Sequence, residues 1–103
     1  MNNGQEIFMT EKKIPVAVLG ATGTVGQRFI IMLKNHPLFY LQALGASERS
    51  AGKQYVVACN WKMEIQMPSE IAVMEVRPCT PEAFSDCKII FSGLDASYLF
   101  LSM

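Results

Sequence analysis

The residues best placed to do chemistry are three glycines, Gly20, Gly23 and Gly26, in the run Gly20-Ala21-Thr22-Gly23-Thr24-Val25-Gly26. Their G-x-x-G-x-x-G spacing varies the G-x-G-x-x-G loop that seats a pyrophosphate. Gly20 permits a tight turn, Gly23 leaves nothing to obstruct a diphosphate, and Gly26 lets a helix pack close against a sheet. A helix opening at Thr24 would present unpaired N–H groups and a partial positive charge to the phosphates. The chemistry to expect is recognition of a dinucleotide.

Such a loop works only between a buried strand and a helix. Ile14 to Leu19 is a short run with apolar residues on both alternating faces, suited to the middle of a parallel sheet, with Pro15 tolerated near its start. From Thr24 the spacing becomes helical. Val25, Phe29, Met32, Leu33 and His36 fall on or near one stripe, with Gln27, Arg28 and Lys34 outside it, and Pro37 stops the helix at about His36. A glycine triplet alone would equally describe a flexible linker; this context makes it a binding loop.

Further along, Phe39 to Ala46 reads as a second strand and Ser47 to Gly52 as a loop. Lys53 to Ser69 is ambiguous, with Trp61 expected to be buried and Pro68 interrupting regular structure. Ile71 to Val76 reads as a third strand. Pro78 and Pro81 bracket a turn, with Thr80 capping a helical turn through Phe84, and Lys88 to Phe91 is a strand closing at Ser92-Gly93. The alternation predicts an α/β fold with a parallel sheet. Right-handed crossovers would bring Leu19-Gly20, Ala46-Ser47 and Ser92-Gly93 to one edge, where open α/β sheets bind ligands.

The end of the second strand bears on which dinucleotide is bound. NAD-preferring sites place an acidic residue there, ~20 residues past the loop, on the ribose hydroxyls. Here Ser47, Arg49 and Ser50 offer a guanidinium and two hydroxyls, with Lys53 beyond, a natural cradle for the 2′-phosphate of NADP. Glu48 stands among them; turned inward, it would repel that phosphate and favour NAD.

Composition removes other classes. The chain has 103 residues, half of them hydrophobic and 17% charged, enough for one small packed domain. Nine basic residues balance nine acidic ones, so no basic field exists for nucleic acid or an anionic membrane. No apolar run approaches a membrane span, and the N-terminus lacks a signal-peptide pattern, so a cytoplasmic location is expected. Cys59, Cys79 and Cys87 lack Cys-x-x-Cys spacing, which argues against a disulfide framework or metal site and for ordinary reduced thiols. His36, the one histidine, sits at a helix end and reads as a cap rather than a catalyst.

Four segments in order carry a family resemblance. They are Gly20 to Phe29, Leu44-Gly45-Ala46-Ser47-Glu48-Arg49-Ser50-Ala51-Gly52-Lys53, Asn60-Trp61-Lys62, and Ile90-Phe91-Ser92-Gly93-Leu94-Asp95. Together they resemble the N-terminal domain of aspartate-semialdehyde dehydrogenase, in its fungal and archaeal branch. The resemblance implies a Rossmann-like, doubly wound, mostly parallel sheet, incomplete at the C-terminal end. Polar residues 1–13 read as a flexible start; the resemblance makes 14–96 a partial NAD(P)-binding domain and leaves 97–103 as a divergent apolar tail. It also implies NADP as cofactor. Thr22, Gly23, Thr24 and Val25 would contact the pyrophosphate, Ser47, Arg49 and Ser50 would hold the 2′-phosphate, and Ser92 and Gly93 would line the cofactor.

The family reductively dephosphorylates aspartyl 4-phosphate to aspartate semialdehyde, feeding lysine, threonine, methionine and isoleucine synthesis, and its complete members are homo-oligomers. Its nucleophilic cysteine, basic histidine and substrate-binding arginine fall beyond this chain's last residue, so no catalytic residue is assigned here. The chain alone is expected to be inactive as a dehydrogenase. The alternatives are a stand-alone dinucleotide-binding module or a truncated product without function.

Overall fold

Strand β1 (Ile14–Leu19) is apolar on both faces because both faces are covered. Val16 and Val18 meet Ile30, Leu33, Leu44, Tyr55, Ile71 and Val76 on one side, while Ala17 and Leu19 meet Ala43 and Phe84 on the other. Side chains as fully buried as Ile30 and Leu44 contribute about 2 kcal/mol each relative to exposure. The computed structural model describes residues 13–94. The 97–103 tail and all but the last residue of the expected 1–13 start lie outside the described residues.

After β1 come helix α1 (Thr24–Leu33), β2 (Phe39–Ala46), the short helices α2 (Tyr55–Ala58) and α3 (Ser69–Ala72), β3 (Val76–Pro78), a 3-10 turn (Pro81–Phe84) and β4 (Ile89–Ser92). The sheet order is β3-β2-β1-β4, all parallel, as expected of a Rossmann-like α/β fold. The chain steps from β1 to β2 on one side, then crosses from β3 to β4 on the other. The strand order therefore reverses between β1 and β4, and a crevice opens beyond their carboxyl ends.

Several local expectations are corrected. Helix α1 ends at Leu33, three residues before His36, because Asn35 turns into the left-handed region at φ 58°. Its buried positions are Gly26, Gln27, Ile30 and Leu33, whereas Val25 and Met32 of the expected stripe are exposed. His36 caps the start of β2 instead of the helix: Nδ1 accepts from the N–H of Leu38 at 3.0 Å and of Phe39 at 3.3 Å, and the ring stacks on Phe39.

The third strand lies further on than Ile71 to Val76. Pro68, with extended angles, starts helix α3, whose one turn buries Ile71, and pairing with β2 begins only at Val76. Apolar alternation over so few residues fits either element. Thr80 stands at the expected cap position, but its side chain makes no capping bond there. Trp61 is half-buried, its Nε1 donating to Ile65 O at 2.7 Å.

Candidate functional site

The loop after β1 is shaped by close approaches. Gly20 has φ +68°, a conformation that side-chain-bearing residues rarely adopt, and Ala21 N donates back to Gly45 O of β2 at 3.0 Å. A Cβ on Gly26 would lie 2.1 Å from Gly20 O, and one on Gly93 would lie 2.8 Å from Gly26 N. The loop, the first turn of α1 and the end of β4 thus press together without side chains between them. Gly93 N also donates to Leu19 O at 2.8 Å, extending the β1–β4 pairing to the lip of the crevice.

Gly23 differs from these: it is exposed, and a Cβ there would meet only Gly20 O, at 3.6 Å. It is also the residue capping α1, which has no side-chain cap and no acidic residue in its first turn. Among the described residues no backbone bond uses the N–H of Thr24, Val25 or Gly26. An uncapped ten-residue helix with free N–H groups beside an open glycine is an anion-accepting arrangement. The donor set fits a pyrophosphate.

A cavity of about 290 Å³ at this edge is lined by Gly20, Thr22, Gly23, Ala46, Ser47, Cys79, Gly93 and Leu94. A larger one, about 410 Å³, lies at the opposite end of the sheet against Lys13, Lys34, His36, Tyr40 and Glu70. The smaller has the stronger claim, because it sits at the carboxyl ends of the strands, beside the switch in strand order. Of the residues expected to bind, Gly20, Thr22, Gly23, Ser47 and Gly93 line it together. Thr24 and Val25 stand beside it in the first turn of α1, and Gly26 is buried behind. Arg49 and Ser50 lie in the turn just past Ser47, where Ser50 N and Ala51 N both donate to Ser47 O. Ser92 does not line the cavity; its Oγ accepts from Leu94 N at 3.3 Å.

Ser47, Glu48 and Arg49 are exposed, and among the described residues none of them joins an ion pair; that bond belongs to Arg77 and Asp86. A serine at the cavity and an exposed arginine two residues further along the chain make a residue set that also fits a phosphate.

The sequence reading missed two kinds of residue. Cys79 enters the cavity because β3 ends just before it; placing that strand correctly would have found it. Burial pushes its thiol up, partly offset by the facing N–H of Gly20. Cys87, away from the cavity, is pushed up to about 11, first by burial and then by neighbouring Asp86. Neither is an activated thiolate. The second kind lies beneath the loop. Tyr55 Oη donates to Ala21 O at 2.6 Å, and Gln27 Nε2 donates to Thr22 O at 2.9 Å and Asn60 O at 3.1 Å. Gln27 Oε1 accepts from Lys62 N at 2.8 Å. Gln27 is the one polar side chain fully within the described core, a placement that helical periodicity could not show.

Comparison with known proteins agrees with this geometry. The sequence profile of the semialdehyde dehydrogenase NAD binding domain matches residues 15–100. An aspartate-semialdehyde dehydrogenase of Schizosaccharomyces pombe is 60% identical over 83 residues, covering 81% of this chain and 23% of that protein. One from Saccharomyces cerevisiae is 57% identical over 90 residues, covering 87% and 24%. The crystal structure of aspartate semialdehyde dehydrogenase with NADP from Candida albicans superposes with a TM-score of 0.79 at 50% identity, covering 82% of this chain and 24% of that one. The chain thus spans about a quarter of the length of the relatives it matches. Among the described residues no helix is long and apolar enough to cross a membrane. By profile, fold and glycine loop, the chain belongs to the semialdehyde dehydrogenase family, through its NAD binding domain.

Proposed function

We propose that this chain is the NADP-binding portion of an aspartate-semialdehyde dehydrogenase, the enzyme that reductively dephosphorylates aspartyl 4-phosphate to aspartate semialdehyde. The observation that carries this reading is the crevice where the strand order reverses. There an uncapped helix start and an open Gly23 share a cavity with Ser47, and exposed Arg49 follows two residues on in the chain. Thr22, Gly23, Thr24 and Val25 hold the pyrophosphate. Ser47, Arg49 and Ser50 hold the 2′-phosphate, and Ser92 and Gly93 border the cofactor at the end of β4. When bound, NADPH supplies the hydride.

The part of the protein described here binds and orients without supplying the nucleophile. Reduction of an acyl phosphate through an acyl-enzyme needs a thiolate with a base beside it. The one thiol at the cavity, Cys79, has no titratable base among the residues lining it, and His36 lies at the other end of the sheet. The chain by itself is therefore inactive as a dehydrogenase, and the complete enzyme works as a homo-oligomer in the cytoplasm.

A thermal-melt titration of the 103-residue chain with NADP and, in parallel, NAD tests the reading. A saturable rise in melting temperature with NADP, weaker with NAD, is expected. Equal rises would overturn the choice of NADP and point to Glu48; no rise with either would overturn the binding function.

A further inference from the structure

We propose that Tyr55 and Gln27 are positioning residues of the dinucleotide site, holding the Ala21 and Thr22 carbonyls inward so that the glycine loop offers only N–H groups to the pyrophosphate. This rests on the functional reading above and assigns the residues that make the loop competent.

A peptide loop that presents donors to an anion must dispose of its acceptors, since a carbonyl turned toward a phosphate repels it. In the Gly20–Gly26 loop each carbonyl has a different fate. Gly20 O accepts from Gly23 N at 3.1 Å and Gly23 O from Gln27 N at 2.9 Å, both bonds of the loop and helix themselves. Ala21 O and Thr22 O have no such local backbone partner. They are taken instead by two side chains buried in the core, Tyr55 and Gln27. Thr22 O is also approached by Cys59 Sγ at 3.9 Å.

The two donors are themselves fixed. Tyr55 is fully buried, its ring meets Trp61 edge-on with centroids 6.3 Å apart, and its N–H donates to Met74 O at 2.8 Å. Burial raises its phenol well beyond the ordinary tyrosine range, so it remains a donor at every working pH. Gln27 is bound at both ends of its amide by the backbone of the Asn60–Lys62 segment, which leaves its Nε2 aimed at Thr22. The segment resembling the family at Asn60-Trp61-Lys62 thereby gains a role: its backbone orients Gln27 and its indole props Tyr55.

The test compares two ligands, NADP and adenosine 2′-phosphate, which shares the 2′-phosphate and base but has no pyrophosphate. In Tyr55→Phe, NADP affinity is expected to fall about tenfold, the effect of one lost hydrogen bond, while affinity for adenosine 2′-phosphate stays within about twofold of wild type. Gln27→Glu supplies a second variant of almost unchanged volume that loses the donor to Thr22 when ionised and regains one when protonated. Its NADP affinity relative to wild type at the same pH is expected to be depressed at alkaline pH and to recover on acidification. Parallel losses for both ligands, a pH-independent deficit in Gln27→Glu, or unchanged NADP affinity in both variants would overturn the proposal. A wild-type chain that binds neither ligand would overturn the functional reading and this proposal with it; binding that the variants leave intact would overturn this proposal alone.

Discussion

Around one cavity, the Gly20–Gly26 loop is held by Tyr55, Gln27 and the strand ends, whereas the Ser47–Ser50 turn is held mainly by backbone bonds to Ser47 O and leaves Ser47, Glu48 and Arg49 exposed. The loop's geometry is a product of packing: a glycine is needed wherever two backbones meet, and a buried donor wherever a carbonyl must be hidden. The turn's geometry is ordinary, and what distinguishes it is which side chains it carries. The first half of such a site is therefore bound up with stability, and the second can change without disturbing the fold.

The largest expected effect breaks the loop. Gly26→Ala would put a methyl 2.1 Å from Gly20 O, against backbone that cannot move aside cheaply. It is expected to cost about 3 kcal/mol of stability by overpacking, read as a lowered midpoint in urea or thermal unfolding. A variant as stable as wild type would show that the loop is less tightly built than its contacts indicate.

Arg49→Ala tests the other half. The side chain is exposed and outside any ion pair among the described residues, so the melt without ligand should not move. Affinity for NADP is expected to drop by about 1.5–3 kcal/mol, the range for a charge-assisted hydrogen bond, with NAD affinity unchanged. Isothermal titration with both cofactors separates these. A loss of stability without ligand, or equal losses for both cofactors, would erase the contrast between loop and turn.

The smallest effect lies away from both regions and serves as their control. Asp86 accepts from Arg77 at 2.9 Å and from Gln42 Nε2 at 2.9 Å, and these partners, Arg77 first, hold its carboxyl well below the usual carboxylate range. A carboxyl whose pKa is lower folded than unfolded stabilises the fold above its unfolded value of about 4, and that contribution is lost as pH falls toward the folded value. Stability should therefore decline below about pH 4, less steeply in Asp86→Asn. The bond is exposed, so the change is small, and cofactor affinity near neutral pH should be the same in both proteins.

How far the chain could be read in advance follows the same division. Strands β1 and β2 were legible to the residue because each is a sustained apolar run ended by glycine or serine. The meeting of Gly20, Ser47 and Gly93 followed from strand order and crossover handedness. Stretches of three or four residues were not legible: β3 could not be told from α3, and the place of Cys79 at the cavity was hidden with it. The burial of Gln27 was hidden for another reason. Periodicity places glutamine on the wet face, and its full satisfaction inside needs hydrogen bonds to residues 33 and 35 positions away as well as to Thr22.

By itself, then, the amino-acid sequence determined the order of strands and helix, the three glycines and the polar side chains of the turn after β2. These are local matters of residue type, spacing and chain stiffness. Tertiary structure alone decided that Tyr55 and Gln27 lie beneath the loop, that Gly93 closes against Gly26, and that Cys79 borders the cavity. Those contacts join segments distant in the chain, and a buried polar group reveals its purpose only when its partner comes into reach.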